Sequence, residues 1–252
     1  MALVFYLAIQ SAIPVAARGI ALAESFDGPP LGCLMRNLTR RPAASIGTFG
    51  RDSNGVRIRY QGIDKGSERT VFSCPLGERG LEYALAYDVR FEPGFQFVKG
   101  GKLHGLGPDA VASGGKRPRP DEWSARVAFR PEGGIEAYVY HQDQKGRFGE
   151  IFRARAFRFV PGRYYRVELQ VRVNSTSALA DGHVRLLVDD ELLVDQGGLR
   201  FRGTDGNRGL ISRFLFSTFH GGGSPEWAPR DADGKYVAVF ASFDNFEISR
   251  AD

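Results

Sequence analysis

The most constraining feature of this sequence is that apolar residues recur at every second position over most of its length. Leu81 to Phe91 reads LEYALAYDVRF and Ser124 to Arg130 reads SARVAFR, with the two kinds of side chain alternating. A period of two places successive side chains on opposite faces of an extended strand, whereas a helix requires a period of 3.6. The same alternation is found in Val56 to Tyr60, Gly134 to His141, Phe152 to Phe159, Tyr164 to Val173, His183 to Val194, Leu210 to Phe219 and Tyr236 to Ile248.

Turn residues separate these runs at short intervals, and no stretch of ten residues has an amphipathic helical pattern. About a dozen strands at this spacing predict an all-β fold, an antiparallel β-sandwich of jelly-roll type, formed as one domain by residues 24–252. The longest irregular segment runs from Gly105 to Asp121, and loops of that length are often functional or mobile. The turn signals are Pro93-Gly94, Pro131-Glu132-Gly133-Gly134, Pro161-Gly162, Asp181-Gly182, Asp205-Gly206 and Asp233-Gly234.

The N-terminal segment has a different character from the rest of the chain. Residues 1–17 are apolar and end in small residues, which is typical of a secretory signal peptide. We therefore expect residues 1–23 to be a signal peptide, cleaved after Ala17 or Ala23, and the protein to be secreted. The first basic residue is Arg18, so a buried N-terminal strand or a truncated start is the alternative.

The chain has only two cysteines, Cys33 and Cys74, which excludes a zinc ribbon and a disulfide-dense scaffold. In an exported protein they could form one disulfide. Two buried free thiols are the other interpretation, because free cysteine is among the most buried residue types.

The net charge of the chain is positive. Lysine and arginine number 34 against 29 acidic residues, which gives +5 at pH 7 and an isoelectric point near 9.3. An anionic partner is therefore expected, and an acidic polysaccharide, a nucleic acid or a membrane surface would each fit. Composition does not choose among them, because the basic residues are dispersed along the chain.

Two neighbouring runs predict a polar patch on one face of a sheet. Alternation leaves Ser124 and Arg126 on the face opposite the apolar one, and it does the same for Tyr138 and Tyr140. If residues 131–133 close a hairpin, Arg126 lies opposite Tyr138 and Ser124 opposite Tyr140, with β-carbons about 4.5–5.5 Å apart. Tyrosines are common on the solvent face of a sheet, so the patch alone does not establish a site.

The sequence around this patch resembles that of a known enzyme family. Residues 95–106 read FQFVKGGKLHGL, Ser-Ala-Arg begins twenty-two residues after Lys102, and Tyr-Val-Tyr begins twelve residues after Arg126. Residues 217–222 (STFHGG) and 243–246 (FDNF) add softer similarity. Together they resemble polysaccharide lyase family 14, of which the glucuronan lyases of family 20 are close relatives.

This resemblance implies a jelly-roll enzyme that cleaves alginate, glucuronan or a related 1,4-linked polyuronate by β-elimination, giving 4,5-unsaturated products. Matching the motif by position places the active-site residues of the family at Lys102, Ser124, Arg126, Tyr138 and Tyr140.

Four further residues are predicted to bind substrate: Gln96, Lys99, His104 and His220. Two of them depart from the family pattern. His104 stands where the usual motif has proline, and His220 where an aromatic residue commonly precedes the glycine pair.

The chemistry of elimination accounts for these residue types. Removing the C5 proton of a uronate builds negative charge on a carboxylate that is already ionised, and Arg126 and Lys102 would stabilise it. Nearby cations are expected to lower the pKa of tyrosine from about 10, which would suit Tyr140 as base or acid. Tyr138 would position the sugar or share that role, Lys102 could itself donate a proton, and Ser124 would hydrogen-bond substrate or tyrosine.

Other kinds of site are weaker in the sequence. A glycosidase needs two carboxylates across the scissile bond, and the nearest cluster, residues 189–191, reads as a hairpin turn. The four histidines lack the spacing of a metal site. No cofactor is required, although Asp27 and Asp244 could hold a structural Ca²⁺ where the terminal strands pair. Paired surface aspartates are the commoner explanation.

The expected partner is therefore an acidic polysaccharide rather than a nucleic acid or a membrane, and the protein is expected to be a monomer. The alternative is a non-catalytic β-sandwich that binds acidic polysaccharide. A binding module has no need of all five active-site residues, so the sequence favours the enzyme.

Overall fold

The computed structural model describes residues 19–29 and 32–251. They form fifteen β-strands, one six-residue α-helix and two short 3₁₀ helices. The strands are β1 (Gly19–Glu24), β2 (Ala44–Gly47), β3 (Gly55–Ile63), β4 (Gly66–Ser67), β5 (Thr70–Gly80), β6 (Glu82–Phe91), β7 (Gly101–Gly107), β8 (Ser124–Phe129), β9 (Ile135–Tyr140), β10 (Glu150–Ala154), β11 (Tyr164–Arg172), β12 (Gly182–Val188), β13 (Glu191–Leu199), β14 (Ile211–His220) and β15 (Ala238–Arg250). The helices are α1 (Cys33–Leu38) and the 3₁₀ turns Pro131–Gly133 and Pro225–Trp227.

The strands form two antiparallel sheets, and this confirms the predicted jelly-roll sandwich. One sheet has the order β13-β12-β11-β6-β15-β3-β2, with β1 beside β15 and β4 beside β3. The other has the order β10-β9-β8-β7-β14-β5. No helix among the described residues is long and apolar enough to cross a membrane.

The core lies between the sheets and consists of the inward members of the alternating runs. In β6, Leu85, Tyr87 and Val89 have no exposed surface. The predicted inward residues of the adjacent strands β8 and β9 are all in the same core cluster: Ala125, Val127, Phe129, Ile135, Ala137 and Val139. Burial of apolar surface at about 25 cal/mol per Å² makes this face the main source of stability.

Two expectations about local structure are settled. Cys33 and Cys74 form a disulfide that ties α1 to β5, so the free-thiol alternative does not hold. Asp189 and Asp190 both have positive φ, 47° and 66°, between β12 and β13. Positive φ at both central residues is the signature of a type I′ hairpin turn, which agrees with the turn interpretation of this acidic cluster.

The N-terminal strand bears on the extent of the domain. Residues 1–18 lie outside the described part of the chain, but residues 19–23 belong to β1, which pairs with the C-terminal half of β15. Cleavage after Ala23 would remove most of this strand, whereas cleavage after Ala17 would leave it whole. The signal peptide itself stays a prediction.

The aspartates considered for calcium have backbone partners. Asp244 has no exposed surface, and its carboxylate accepts hydrogen bonds from the N–H groups of Arg51 and Asn245. Asp27 accepts one from the N–H of Asn54. Burial, with repulsion from Asp88 and Asp27, raises the pKa of Asp244. Among the described residues, no group of three or more His, Cys, Asp or Glu side chains could hold a metal. A structural calcium ion at Asp27 and Asp244 stays a prediction.

Candidate active site

The outer face of the six-stranded sheet brings together the five residues predicted from the motif. The hairpin between β8 and β9 has the predicted register, in which Ser124 pairs with Tyr140 and Arg126 with Tyr138. Lys102 of β7 pairs with Ala128 of β8. Ala128, the two tyrosines and Ala112 from the loop after β7 form a small apolar cluster separate from the main core. Strand pairing therefore brings the five residues onto one face of the sheet.

The two tyrosines share a hydrogen bond, and each also contacts a loop. The Tyr138 hydroxyl donates to that of Tyr140 at 3.4 Å. The N–H of Gly149 donates to Tyr138 at 3.1 Å, and the N–H of Gly115 donates to Tyr140 at 2.9 Å. Because a backbone N–H only donates, both phenol oxygens act as acceptors. The Tyr140 oxygen thus accepts two hydrogen bonds, one from the Gly115 N–H and one from the Tyr138 hydroxyl.

The long irregular segment predicted between strands covers part of this site. Its Gly115 contacts Tyr140, and the Arg147 side chain from the loop after β9 donates to the Gly115 carbonyl at 3.2 Å. Tyr140 is only 1% exposed and Tyr138 is 8% exposed. The loop that contains Gly115 therefore covers the Tyr140 hydroxyl.

The pKa of Tyr138 is shifted in the direction opposite to the one expected, because the residue is buried. Cations nearby were expected to lower it, but desolvation raises it well above 10, and the hydrogen bond to Tyr140 adds to the effect. The Gly149 amide and the charge of Arg130 only partly oppose this rise. Tyr138 is accordingly protonated near neutral pH and can donate a proton.

Ser124 positions Arg126. The Arg126 Nη1 donates to the Ser124 hydroxyl at 2.6 Å, and that hydroxyl donates to the carbonyl of Ala112 at 2.9 Å. Ser124 has no exposed surface, so the expectation that it touches substrate is corrected to a supporting role. Burial lowers the pKa of Arg126 to about 10, against the opposing effect of the tyrosines, and Arg126 remains a cation near neutral pH.

Lys102 lies against the ring of Tyr138, with its Nζ 2.9 Å from the ring centroid. Burial lowers its pKa well below the ordinary value, and the charges of Arg130 and Arg126 act in the same direction, while Glu136 opposes them. A lysine with a lowered pKa exchanges its proton more readily near neutral pH, so Lys102 is both a charge and a proton-transfer candidate.

Glu136 and Arg130 belong to the site but were missed by the sequence argument. Glu136 has no exposed surface, forms an ion pair with Arg130 and lies 3.6 Å from the Nε of Arg153. It shares its strand face with Tyr138 and Tyr140 because the three are spaced by two residues. That spacing could have identified Glu136. Nothing in the sequence pointed to the amides of Gly115 and Gly149.

The expectation that His104 binds substrate is wrong. His104 has no exposed surface and packs in the core, with ring centroids 4.7 Å from Tyr87 and 4.2 Å from Phe216. Alternation would place it on the same face as Lys102, but the register of β7 shifts between Lys102 and Gly105. A one-residue bulge sends the following side chains to the opposite face.

His220 is likewise buried and does not reach the site face. Its ring stacks on Phe95, with centroids 5.3 Å apart, and its Nε2 lies 2.7 Å from the backbone carbonyl of Gln96. Burial lowers the pKa of His220 to about 4. The expectation that it binds substrate is therefore corrected to a structural role in holding the segment that precedes β7.

Gln96 and Lys99 have partners within the protein. The Gln96 side chain donates to the carbonyl of Arg230 at 2.8 Å and accepts from its N–H at 2.9 Å. Lys99, on the surface, forms an ion pair with Glu226. Gln96 thus joins two loops, and a substrate-binding role for either residue stays a prediction.

By its fold the protein is an antiparallel two-sheet β-sandwich, and its candidate site is a basic, tyrosine-bearing face suited to an anionic substrate. The family model described as polysaccharide lyase 14 matches residues 75–240, well over half of the chain. The chain therefore belongs to polysaccharide lyase family 14 and is a polysaccharide lyase. No curated protein matches the sequence.

Solved structures show the same architecture. The family 14 alginate lyase from Aplysia kurodai is 25% identical, with a TM-score of 0.71 over 91% of this chain and 98% of that one. A variant of alginate lyase Aly36B in complex with an alginate tetrasaccharide is 21% identical, with a TM-score of 0.72 over 94% and 97%. The endo-β-1,4-glucuronan lyase from the fungus Trichoderma reesei is 12% identical, with a TM-score of 0.58 over 92% and 95%. At this identity the last two show likeness of fold alone.

Proposed function

We propose that this lyase cleaves a 1,4-linked polyuronate, alginate or glucuronan, by β-elimination. One observation carries the proposal: two cations, Lys102 and Arg126, lie on the same sheet face as the hydrogen-bonded pair Tyr138 and Tyr140. The cations would bind the carboxylate of a uronate, and the hydroxyls would transfer the C5 proton of the same sugar. The similarity to an alginate lyase from Aplysia kurodai supports the same substrate class.

Arg126 binds the carboxylate of the uronate at which cleavage occurs. Its guanidinium group is hydrogen-bonded to Ser124, so little side-chain freedom is lost when the substrate binds. Loss of the C5 proton pushes negative charge into that carboxylate. A fixed guanidinium stabilises this charge without reorganisation, as donors in an oxyanion hole do. Lys102 adds a second positive charge in its protonated form.

The tyrosine pair transfers protons. Tyr140 is the base, because its oxygen is the acceptor within the tyrosine pair and also accepts from the N–H of Gly115. The C5–H bond breaks, its electron pair forms the C4=C5 double bond, and the bond from C4 to the bridging oxygen breaks. Tyr138, whose raised pKa keeps it protonated, gives a proton to that leaving oxygen. Lys102 is the alternative donor.

This chemistry uses the charges and hydroxyls of the chain itself, so the proposed enzyme requires no cofactor, and a calcium ion would have a structural role only. We also propose that the protein is secreted and acts as a monomer. Cleavage of the signal peptide after Ala17 fits β1 better than cleavage after Ala23, because it leaves Gly19–Glu24 paired with β15.

The proposal is tested with purified protein on polymannuronate, polyguluronate and glucuronan. The reaction is followed by the ultraviolet absorbance of a C4=C5 double bond conjugated with the carboxylate. We expect the absorbance to rise with at least one polymer. We also expect Arg126→Lys to reduce kcat/KM on it, because lysine keeps the charge but loses the planar fork. If no polyuronate yields an unsaturated product, the proposed substrate class is wrong.

A further inference from the structure

A groove rich in arginine lies beside the site, where the end strands of the two sheets approach each other. It encloses about 1020 Å³ between β10 and residues 193–196 of β13. We call it the arginine groove. Four arginines line it, and Ile151 and Leu193 supply apolar surface: the arginines are Arg130, Arg153, Arg155 and Arg158.

The described residues that line this groove carry an excess of positive charge. Arg130 and Arg153 share the single carboxylate of Glu136. The exposed Arg158 donates to the carbonyls of Arg155 and Phe157 and not to a carboxylate. The other acid on the wall, Asp195, is already paired with His183 and Arg185. The exposed guanidinium groups are therefore available to an anion from solution.

The arginine groove continues the row of residues that carries the site. Lys102, Ala128, Glu136 and Arg153 are successive partners across β7, β8, β9 and β10. Neighbouring strands are about 4.8 Å apart, so Arg153 lies roughly 14 Å from Lys102 across the sheet. Arg130 and Glu136, which line the groove, also act on the pKa of Lys102. A chain bound across the strands at Lys102 would run into the groove.

We infer that the arginine groove binds the carboxylates of the polyuronate segment adjacent to the one being cleaved. This inference rests on the proposed function. Guanidinium forks match carboxylates in two-point hydrogen bonds, and the half-exposed Ile151 offers apolar surface to a sugar ring. The groove would thus select long polyanions over short ones. Charged side chains on an edge strand also prevent strands from pairing between molecules, and the test separates that role from binding.

The test compares two double variants that remove the same charge. Arg155→Ala with Arg158→Ala removes the two guanidinium groups in the outer part of the groove. Arg36→Ala with Arg40→Ala is the control and removes two exposed arginines, one in α1 and one just after it. The helix α1 packs on β5, which lies at the opposite end of the six-stranded sheet from β10. Both are compared with the wild type for KM on polymer, KM on a short oligosaccharide, and affinity for polymer by titration calorimetry.

For the groove variant we expect KM on polymer to rise about tenfold, equivalent to about 1.4 kcal/mol, with kcat little changed. KM on the short oligosaccharide should stay near the wild-type value, and the control variant should change by less than twofold. If the two variants have the same KM and affinity for polymer, or if the groove variant only aggregates more, the inference is overturned.

Calorimetry separates this inference from the proposed function, because it needs no turnover. Wild type that binds polyuronate but forms no unsaturated product would contradict the proposed function. Weaker binding by the groove variant would still support the arginine groove in that case.

Discussion

At the scale of single residues, the site depends on side chains that hold other side chains in place. Ser124 connects Arg126 to the Ala112 carbonyl through two hydrogen bonds, and Glu136 anchors Arg130 on the same face. Each of these supports is fully buried, so their strength is not weakened by competition with water. Arg126, which is partly exposed, is thereby fixed before substrate arrives.

Replacing Tyr140 by phenylalanine tests its role as the base. The variant Tyr140→Phe keeps the ring but removes the ionisable oxygen, so we expect kcat to fall roughly 10²–10⁴-fold with little change in KM. Tyr165→Phe is a matched control, because Tyr165 is also buried and its hydroxyl accepts a backbone N–H, that of Val160, at 3.0 Å. A Tyr140→Phe protein that folds and keeps more than about a tenth of kcat would exclude Tyr140 as the base.

The buried His220 predicts a dependence of stability on pH. Burial lowers its pKa from 6.5 to about 4 in the folded protein. The unfolded chain therefore binds the proton more tightly, and the stabilising contribution, complete above about pH 6.5, is lost as the pH falls towards 4. The loss between pH 7 and pH 5 amounts to about 2 kcal/mol.

The variant His220→Phe keeps the ring that stacks on Phe95 but cannot be protonated. Urea unfolding at pH 7 and pH 5 should show a loss of stability on acidification that is about 2 kcal/mol smaller in this variant than in the wild type. An unchanged loss would show that other groups, such as the buried His104, account for the acid sensitivity.

Much of the site could be predicted at this scale, because strand pairing is specified by residue alternation. The spacing of Arg126 and Tyr138 about the hairpin at residues 131–133 was enough to place them opposite each other. A slip by one residue in this pairing would have turned one of the two towards the core, which the apolar pattern forbids. His104 was misplaced because the bulge in β7 depends on pairing with β8 and β14, which leaves no mark in the alternation.

At the scale of elements, two loops complete what the sheet begins. Residues 108–123 and 141–149 each supply a backbone N–H to a tyrosine hydroxyl, and Arg147 joins the loops to each other. Their conformation is set by contacts between distant parts of the chain, so the sequence indicated only that the first loop was long. The disulfide was left open for a similar reason, since two cysteines do not reveal their separation in space.

Gly149 tests the contribution of the second loop. A Cβ at this position would lie 2.9 Å from the Val139 carbonyl oxygen and 3.0 and 3.1 Å from the rings of Tyr140 and Tyr138. Gly149→Ala must therefore displace both tyrosines or the loop, and we expect kcat to fall at least about tenfold with a loss of stability of about 1–3 kcal/mol.

Gly146, in the same loop, provides the control. Its Cβ would meet only ordinary contacts, the nearest 3.6 Å from the carbonyl oxygen of Phe148, so Gly146→Ala should keep kcat within about twofold of the wild type. Equal activity of the two variants would mean that the packing of this loop on the tyrosines does not matter for turnover.

At the scale of the whole molecule, the alternation specified the two-sheet sandwich and the dispersed charge indicated the class of partner. The site face and the arginine groove together hold Lys102, Arg126 and four further arginines. The position of the groove beside the site could not be read from the sequence, since it depends on which strands lie at the ends of the sheets.

This charge predicts that binding of polymer depends on salt. Exposed charges are screened over about 8–10 Å near physiological ionic strength. We expect KM for polyuronate to rise steadily between low and high salt, and to rise less for a short oligosaccharide that carries fewer carboxylates. A KM for polymer that does not vary over this range would argue against electrostatic capture of the substrate.

The central claim is that the polysaccharide is cleaved by elimination. The most direct measurement is the mass of the products formed in water labelled with heavy oxygen. Elimination adds no water, so the account predicts products that carry a C4=C5 double bond and no more heavy oxygen at the new reducing end than intact oligomers take up by exchange in a mock incubation. Saturated products with one solvent oxygen at each new reducing end would contradict it, because that outcome requires hydrolysis.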